Sequence, residues 1–258
     1  MVQPLADLLS PRGPLTCLPA PAMGTLGMKI LVIDVGGSKV KFKLWGTRRK
    51  AGFESGKQMT PQRMAKLVSG MTKDWSYDAI SIGFPGPVIH GRPAVDPQNL
   101  GKGWTRFNFE KYFRKPVKVI NDAAMQALGS YRGGRMLFVG LGTGLGSALI
   151  LDEVIVPLEL GELVYSKNQT VADVLGRNAL EKNGLKRWSK AVHRIIRRFA
   201  AAFLTESLVI GGGNAKYLKR LPRSARRGSN SKAFAGGARM WHTGEIYARP
   251  RKHTWVIT

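Results

Sequence analysis

Residues 28–46 read MKILVIDVGGSKVKFKLWG and residues 135–151 read RMLFVGLGTGLGSALIL, and the likeness of these two stretches decides the fold. Each is an apolar run, a glycine-rich turn and a second run returning from it. In the first, Val40, Phe42 and Leu44 alternate with Lys39, Lys41 and Lys43, the period-two pattern of a strand with one wet face. Both stretches therefore read as hairpins. Two such units, each followed by further strands and helices, predict a pair of related α/β lobes around a cleft, with the glycine clusters at the tips facing it.

Outward from the first hairpin, PQRMAKLVSGMTK predicts a helix over 61–73, with Pro61 suited to its first turn. DAISIGFPGPV reads as a buried strand that ends in a breaker, and PVKVIND as another strand that runs straight into helix-forming residues. After the second hairpin, LKRWSKAVHRIIRRFAAAF places Trp188, Val192, Ile195, Ile196, Phe199 and Phe203 on one helical face. Arg187, Lys190, Arg194, Arg197 and Arg198 fall largely on the other. SLVIGGGNAKYLKRLP supplies a strand, a triple glycine and a helix start; beyond residue 222 the text reads as loop, with FAGGARMW as a last short helix. The expected organisation is an N-terminal extension over 1–27, disordered and rich in Pro and Gly, then lobes over 28–121 and 122–241, then a tail over 242–258.

The 258 residues carry 41 Lys and Arg against 16 Asp and Glu, a formal net charge of +25. Such a field favours a polyanionic partner, whether nucleic acid, an acidic membrane surface, a nucleotide or a polyphosphate. Interleaved aromatics of the kind that stack single-stranded bases are missing from the basic segments, which disfavours nucleic acid. No apolar run is long enough to cross a bilayer, so a cytoplasmic protein without a membrane partner is expected. Cys17 is the sole cysteine, which excludes an internal disulfide and a cysteine-built zinc site. His90, His193, His242 and His253 lack ligand spacing.

Three glycine clusters stand at strand ends: Gly36-Gly37-Ser38, Gly142-Thr143-Gly144 and Gly211-Gly212-Gly213. Glycine lets backbone N–H groups close on an oxyanion, so three such turns point to phosphate transfer. None has P-loop spacing. The carboxylate of Asp122, at the end of an apolar strand and the start of a helix, has two readings. It is a helix N-cap, or it is a base held where open α/β sheets place their ligands.

IDVGGSKVKF, GFPGPV, DPQNLGKGW, INDAAMQALGSY, FVGLGTGLGSALI, PLELGE and LVIGGGNAKYLKRLP, in this order from Met28 to Trp241, resemble the ROK family of sugar kinases, especially its polyphosphate glucokinases. The resemblance implies an actin-like, ribonuclease H-like two-lobe fold and transfer of a phosphoryl group to the 6-hydroxyl of glucose or a similar hexose. It also implies Mg²⁺ with ATP or polyphosphate as donor, no zinc, and a homodimer. By the same resemblance Asp122 is the general base, and Asn99, Asn121, Glu159 and Glu162 lie in the sugar pocket. Asp34, Gly36, Gly37, Ser38, Lys39, Gly142, Thr143 and Gly144 face phosphate, with Asp34 near Mg²⁺ through water, and Gly211, Gly212 and Gly213 lie beneath a nucleotide. A helix N-terminus is expected to lower the pKa of Asp122.

The pattern departs from the family at Glu162, where many members carry His, and a second carboxylate beside Glu159 alters the charge of the sugar pocket. That keeps open an alternative from another class, a ROK-type sugar sensor without catalysis. The basic helix, together with Lys216, Lys219, Arg220, Arg223, Arg226 and Arg227, is expected to form a track for polyphosphate.

Overall fold

The computed structural model describes residues 28–152 and 154–241, so the expected extension over 1–27 and tail over 242–258 lie outside the described residues. Two five-stranded sheets carry the chain. The first is built from β1 (Ile30–Val35), β2 (Lys39–Leu44), β3 (Lys50–Glu54), β4 (Ala79–Phe84) and β5 (Val117–Asn121) in the order β3-β2-β1-β4-β5. β1 pairs antiparallel with β2 and parallel with β4, and β5 is parallel to β4. The second repeats this plan with β6 (Met136–Leu141), β7 (Leu145–Leu151), β8 (Val154–Leu158), β9 (Ser207–Gly211) and β10 (Ala225–Arg227), in the order β8-β7-β6-β9-β10. The two quoted stretches are thus the corresponding hairpins β1–β2 and β6–β7. β10 lies in text expected to be loop; three residues with two arginines at a sheet edge carry no readable apolar period.

Burial follows position in each sheet. β4 is buried along its whole length and β1 everywhere but Asp34, as central strands covered on both faces must be. β2 exposes Lys39 and Lys41 and buries Val40, Phe42 and Leu44. Helix α1 (Pro61–Met71) connects β3 to β4, with the Thr60 hydroxyl accepting from the Arg63 N–H at its start. It covers one face of the first sheet through Met64 and Val68. α2 (Phe109–Phe113) is a single short turn before β5. On the outer face of the second sheet lie α4 (Val171–Leu175) and the long α5 (Arg177–Ala202), which buries Trp188, Val192, Ile195, Ile196 and Phe199. The chain leaves helical geometry within α5 at Gly184, whose φ is 72°.

Between the sheets lie α3 (Asp122–Ser130) and α6 (Lys232–Arg239), sharing one core with Ile30 and Val32 of β1 and Met136 and Phe138 of β6. The two helices meet backbone to backbone. A Cβ on Gly129 would run into the Lys232 carbonyl and one on Gly236 into the Met125 carbonyl. α6, expected in the second lobe, packs on β1 and β4 of the first, where the Ser81 hydroxyl donates to the Gly237 carbonyl at 2.6 Å. The Trp241 indole in turn donates to Ser81 Oγ at 2.8 Å. The second lobe's last helix therefore clasps the first lobe. Among the described residues no helix is long and apolar enough to cross a membrane.

Candidate active site

The carboxyl ends of β1, β4 and β5 carry the candidate residues of the first lobe. In register, Asp34 stands opposite Gly83, which stands opposite Ile120, the residue before Asn121. Gly83 has no side chain to separate the two acidic positions, and a Cβ there would collide with the Met125 side chain. The first glycine turn is closed by Gly36 N–H donating to the Lys39 carbonyl at 3.0 Å and by the Ser55 hydroxyl donating to the Gly36 carbonyl at 2.6 Å. Lys39 itself is paired with Glu54 at 3.0 Å across β2 and β3. Gly37 lies against Asn99, where an added Cβ would sit 3.2 Å from the Asn99 Cβ. The exposed loop that carries Asn99 is tied shut by Asp96, whose carboxylate accepts from Gly103 N–H at 3.0 Å and Trp104 N–H at 2.8 Å. These backbone bonds hold the Asp96 pKa below its ordinary value.

At the β5–α3 junction the structure separates cap from base. Asn121 is the N-cap: its Oδ1 accepts from Ala123 N–H at 2.9 Å and Ala124 N–H at 3.1 Å. Its Nδ2 donates to the Gly86 carbonyl at 3.1 Å, fixing the Phe-Pro-Gly loop and leaving one amide N–H for a ligand. Asp122 is the first helical residue, its Oδ1 accepting from Ala123 N–H at 2.7 Å. Contrary to the expectation from the helix terminus, its pKa is pushed up to about 7. Burial is the main cause and the neighbouring Asp34 charge the next, with Glu159 adding to them; the helix N–H groups oppose but lose. Asp34 is raised to about 6 by burial, against the pull of Lys41.

The second lobe supplies the facing wall. Buried Ser147 donates to the Leu158 carbonyl at 2.8 Å and accepts from Leu160 N–H at 3.1 Å, which fixes the backbone on both sides of Glu159. The Glu159 carboxyl is raised by burial and then by the charge of Glu162, whose N–H donates to the Glu159 carbonyl at 3.0 Å. The charge of Glu159 thus acts on Asp122 from the other lobe. In the second glycine turn, Gly142 N–H donates to the Gly144 carbonyl at 3.1 Å. The Gly142 carbonyl accepts from Asn214 Nδ2 at 2.8 Å, and that of Thr143 from Arg177 N–H at 3.2 Å. Gly212, at φ 81°, lies on the Leu141 backbone where any Cβ would overlap it. The second and third glycine clusters are therefore one packed unit, bordering a cavity of about 610 Å³ lined by Arg177, Leu180, Leu185, Gly213, Lys216 and Tyr217.

The ROK family model matches residues 30–157, which span β1 to β8 and hold both hairpins, Asp34 and Asp122. The chain belongs to the ROK family. It is 27% identical over 207 residues to the polyphosphate glucokinase of Mycobacterium tuberculosis, covering 70% of this chain and 76% of that protein. It is 22% identical over 173 residues to the N-acetylmannosamine kinase of Haemophilus influenzae, covering 61% and 54% respectively. In architecture it is similar to the inorganic polyphosphate/ATP-glucomannokinase of Arthrobacter sp. strain KM, with a TM-score of 0.70 and 24% identity over 83% of this chain and 98% of that one. The ROK hexokinase of Thermus thermophilus aligns with a TM-score of 0.66 and 18% identity, covering 83% and 98%. The two-lobe fold is that of ROK sugar kinases.

Within this ROK chain, the sequence reading missed the positioning roles of Ser55, which lies in no quoted motif, and of Asp96, Ser147 and Asn214, which lie inside quoted motifs. Asp96 before Pro97 is the one legible case, since Asp commonly opens a turn by accepting from the backbone beyond it. The expected basic track is also shortened. Arg226 donates to the Ser130 carbonyl, and Arg227 to the carbonyls of Ala215 and Leu218. Both guanidinium groups therefore serve the fold. Arg187, Lys190, Arg197 and Arg198 stay exposed along α5, while Arg194 is engaged by the Tyr165 hydroxyl and ring.

Proposed function

We propose that this chain is a sugar kinase that transfers a phosphoryl group from polyphosphate or ATP to the 6-hydroxyl of glucose or a similar hexose. One observation carries the reading: buried Asp122, at the junction of β5 and α3, feels the charges of Asp34 from its own lobe and of Glu159 from the other. Asn99, Asn121 and Glu159 offer donors and acceptors for adjacent sugar hydroxyls. The free N–H groups of the Gly36 and Gly142 turns receive the donor's phosphates, and the cavity beside Gly213 and Tyr217 has room for a nucleoside. With a pKa near neutrality, Asp122 is matched to accept the hydroxyl proton as the bond to phosphorus forms.

A buried carboxylate at Asp34, raised by the cost of its own charge, fits a hydrated divalent cation. Among the described residues no three His, Cys, Asp or Glu side chains cluster as a direct metal cage, so the fit is through water, as Mg²⁺ accepts. When bound, Mg²⁺ would supply charge neutralisation to the donor phosphates. The exposed arginines and lysine of α5 favour a long polyanionic donor over a compact one.

The test is formation of hexose 6-phosphate with Mg²⁺ and either ATP or long-chain polyphosphate, with Asp122→Ala as control. Product that disappears in the variant supports the kinase and its base. Sugar binding without product from a panel of hexoses would overturn the kinase in favour of a sensor.

A further inference from the structure

A second cavity of about 630 Å³ opens on the edge of the first sheet, away from the cleft. None of Asp34, Asn99, Asn121, Asp122 or Glu159 lines it. One wall is β5, the strand that ends at the Asn121–Asp122 junction, through Val117 to Ile120. A second is the turn from Thr105 to Glu110, and a third the small ribbon over 88–93 that follows the Phe-Pro-Gly loop. The fourth comes from the other lobe, through Ile155 and Pro157 of β8.

Its lining has two chemical halves. Phe107, Val119, Ile155 and Pro157 offer an apolar face, and Phe107 is held edge-on by Phe109 with ring centroids 4.8 Å apart. Arg92, from the ribbon, and Arg106, from the opposite turn, bring guanidinium groups to the same cavity. Neither has a hydrogen-bond or ion-pair partner among the described residues. The carboxylate that lines the cavity, Glu110, accepts from Val117 N–H at 3.3 Å across the open edge of β5. Lys118 also lines it, donating to the Met240 carbonyl at 2.6 Å and lying 4.6 Å from the centre of the Trp241 ring. Three cationic side chains against one carboxylate leave the cavity with an excess of positive charge that a dianion balances better than a monoanion. Two arginines lining one cavity from opposite walls suit the tetrahedral oxygens of phosphate, and a cavity of this volume holds a small organic molecule.

We propose that this cavity is a second ligand site, for a small organic phosphate whose phosphate is gripped by Arg92 and Arg106 and whose apolar body lies on Phe107 and Pro157. The site does not depend on the kinase reading. Because its walls come from both lobes, an occupant also ties β5 to β8.

The test is calorimetric titration of the full chain with phenyl phosphate, chosen because it resembles neither a hexose nor a nucleotide. Inorganic phosphate and benzoate serve as comparisons. Saturable binding of phenyl phosphate is expected, weakened at least 10-fold by Arg92→Gln or Arg106→Gln and unchanged in Asp122→Asn. Both arginines are exposed, and circular dichroism of each variant checks that it is folded. Phe107→Ala is expected to weaken phenyl phosphate and leave inorganic phosphate unaffected. No saturable binding, or affinity indifferent to both arginines, overturns the site. Loss of binding in Asp122→Asn would place the probe in the cleft and overturn it equally. Benzoate binding as tightly as phenyl phosphate overturns the assignment to a phosphate, and inorganic phosphate doing so overturns the apolar half.

Discussion

The two sheets have the same strand order and nearly opposite chemistry. Where β1 ends in Asp34-Val35-Gly36-Gly37, β6 ends in Gly140-Leu141-Gly142-Thr143. Where β5 gives way to Asn121 and Asp122, β10 gives way to Arg227 and Gly228. The first lobe thus brings carboxylates to the cleft, and the second brings glycine turns backed by a cationic helix, with Glu159 as its acidic contribution. On the proposed function, one scaffold used twice would place the base beside the sugar in the first lobe and the greater part of the donor's contacts in the second. If that division is right, damage to the first lobe's carboxylates should stop chemistry, and damage to the second lobe's cations should weaken only the donor.

The largest effect is expected at Asp122. Asp122→Asn should lower kcat by about 10²–10⁴-fold with little change in sugar affinity, read by steady-state kinetics and by direct sugar binding. A variant that keeps wild-type kcat would remove Asp122 from the chemistry and break the comparison at its centre.

The same substitution should stabilise the fold, in a pH-dependent way. The carboxyl has a pKa of about 7 in the folded chain against 3.8 in its absence, so the folded state favours the protonated form. That advantage is complete below pH 3.8 and is lost as pH rises through about 7, whereas the amide never ionises. The gain in Tm of Asp122→Asn over the parent is therefore expected to be near zero at pH 4, to grow with pH and to level off above 7. Calorimetry at several pH values checks it; a gain independent of pH would mean that burial does not govern this carboxyl.

Smaller than either should be the loss on the second lobe's side of the cleft. Ser147→Ala removes a donor to Leu158 and an acceptor for Leu160 N–H in a buried place, a cost of about 1–3 kcal/mol in stability. It should raise the KM for sugar, because Glu159 lies between those two anchors, while leaving the KM for donor unchanged. An equal rise in both would show the anchor serving the lobe as a whole.

Much of this was legible in the text of the chain, for a physical reason. Both hairpins announce themselves because a central strand must be apolar on both faces and a phosphate-facing turn must be glycine, so composition and geometry coincide at 28–46 and 135–151. α6 was legible as a helix and illegible in its placement: nothing in FAGGARMW says that Gly236 lets the chain return to rest on α3 and β1, since close approach is a property of two segments at once. β10 escaped because an edge strand of three residues needs no apolar pattern. The pKa of Asp122 was misjudged because the helix terminus is visible in the sequence, whereas its burial, the main cause, and the charge of Asp34, 88 residues earlier, are visible only when the fold brings the strands together. Asn121, read as a sugar ligand, is first of all the cap that frees its neighbour from that duty.

The smallest expected effect probes the cationic face of α5. Arg187, Lys190, Arg197 and Arg198 are exposed on α5 beyond its break at Gly184, and the first residue of α5 bonds the Thr143 carbonyl; on the proposed function a long donor would run from the phosphate turn toward this face. Each exposed charge contributes little alone, on the order of 0.2–1 kcal/mol, and salt weakens it further. Replacing Lys190 and Arg197 by Glu should therefore raise the KM for long-chain polyphosphate several-fold at low ionic strength, with a difference that shrinks as salt is added. The KM for ATP should stay nearly constant, because a nucleotide is too short to run along the helix. Kinetics with polyphosphates of graded length separate the two cases: the penalty should grow with chain length until the donor outreaches the helix. A penalty equal for ATP and polyphosphate would mean that the charges act on the phosphate turn itself, and the division of labour between the lobes would then rest on the glycine turns alone.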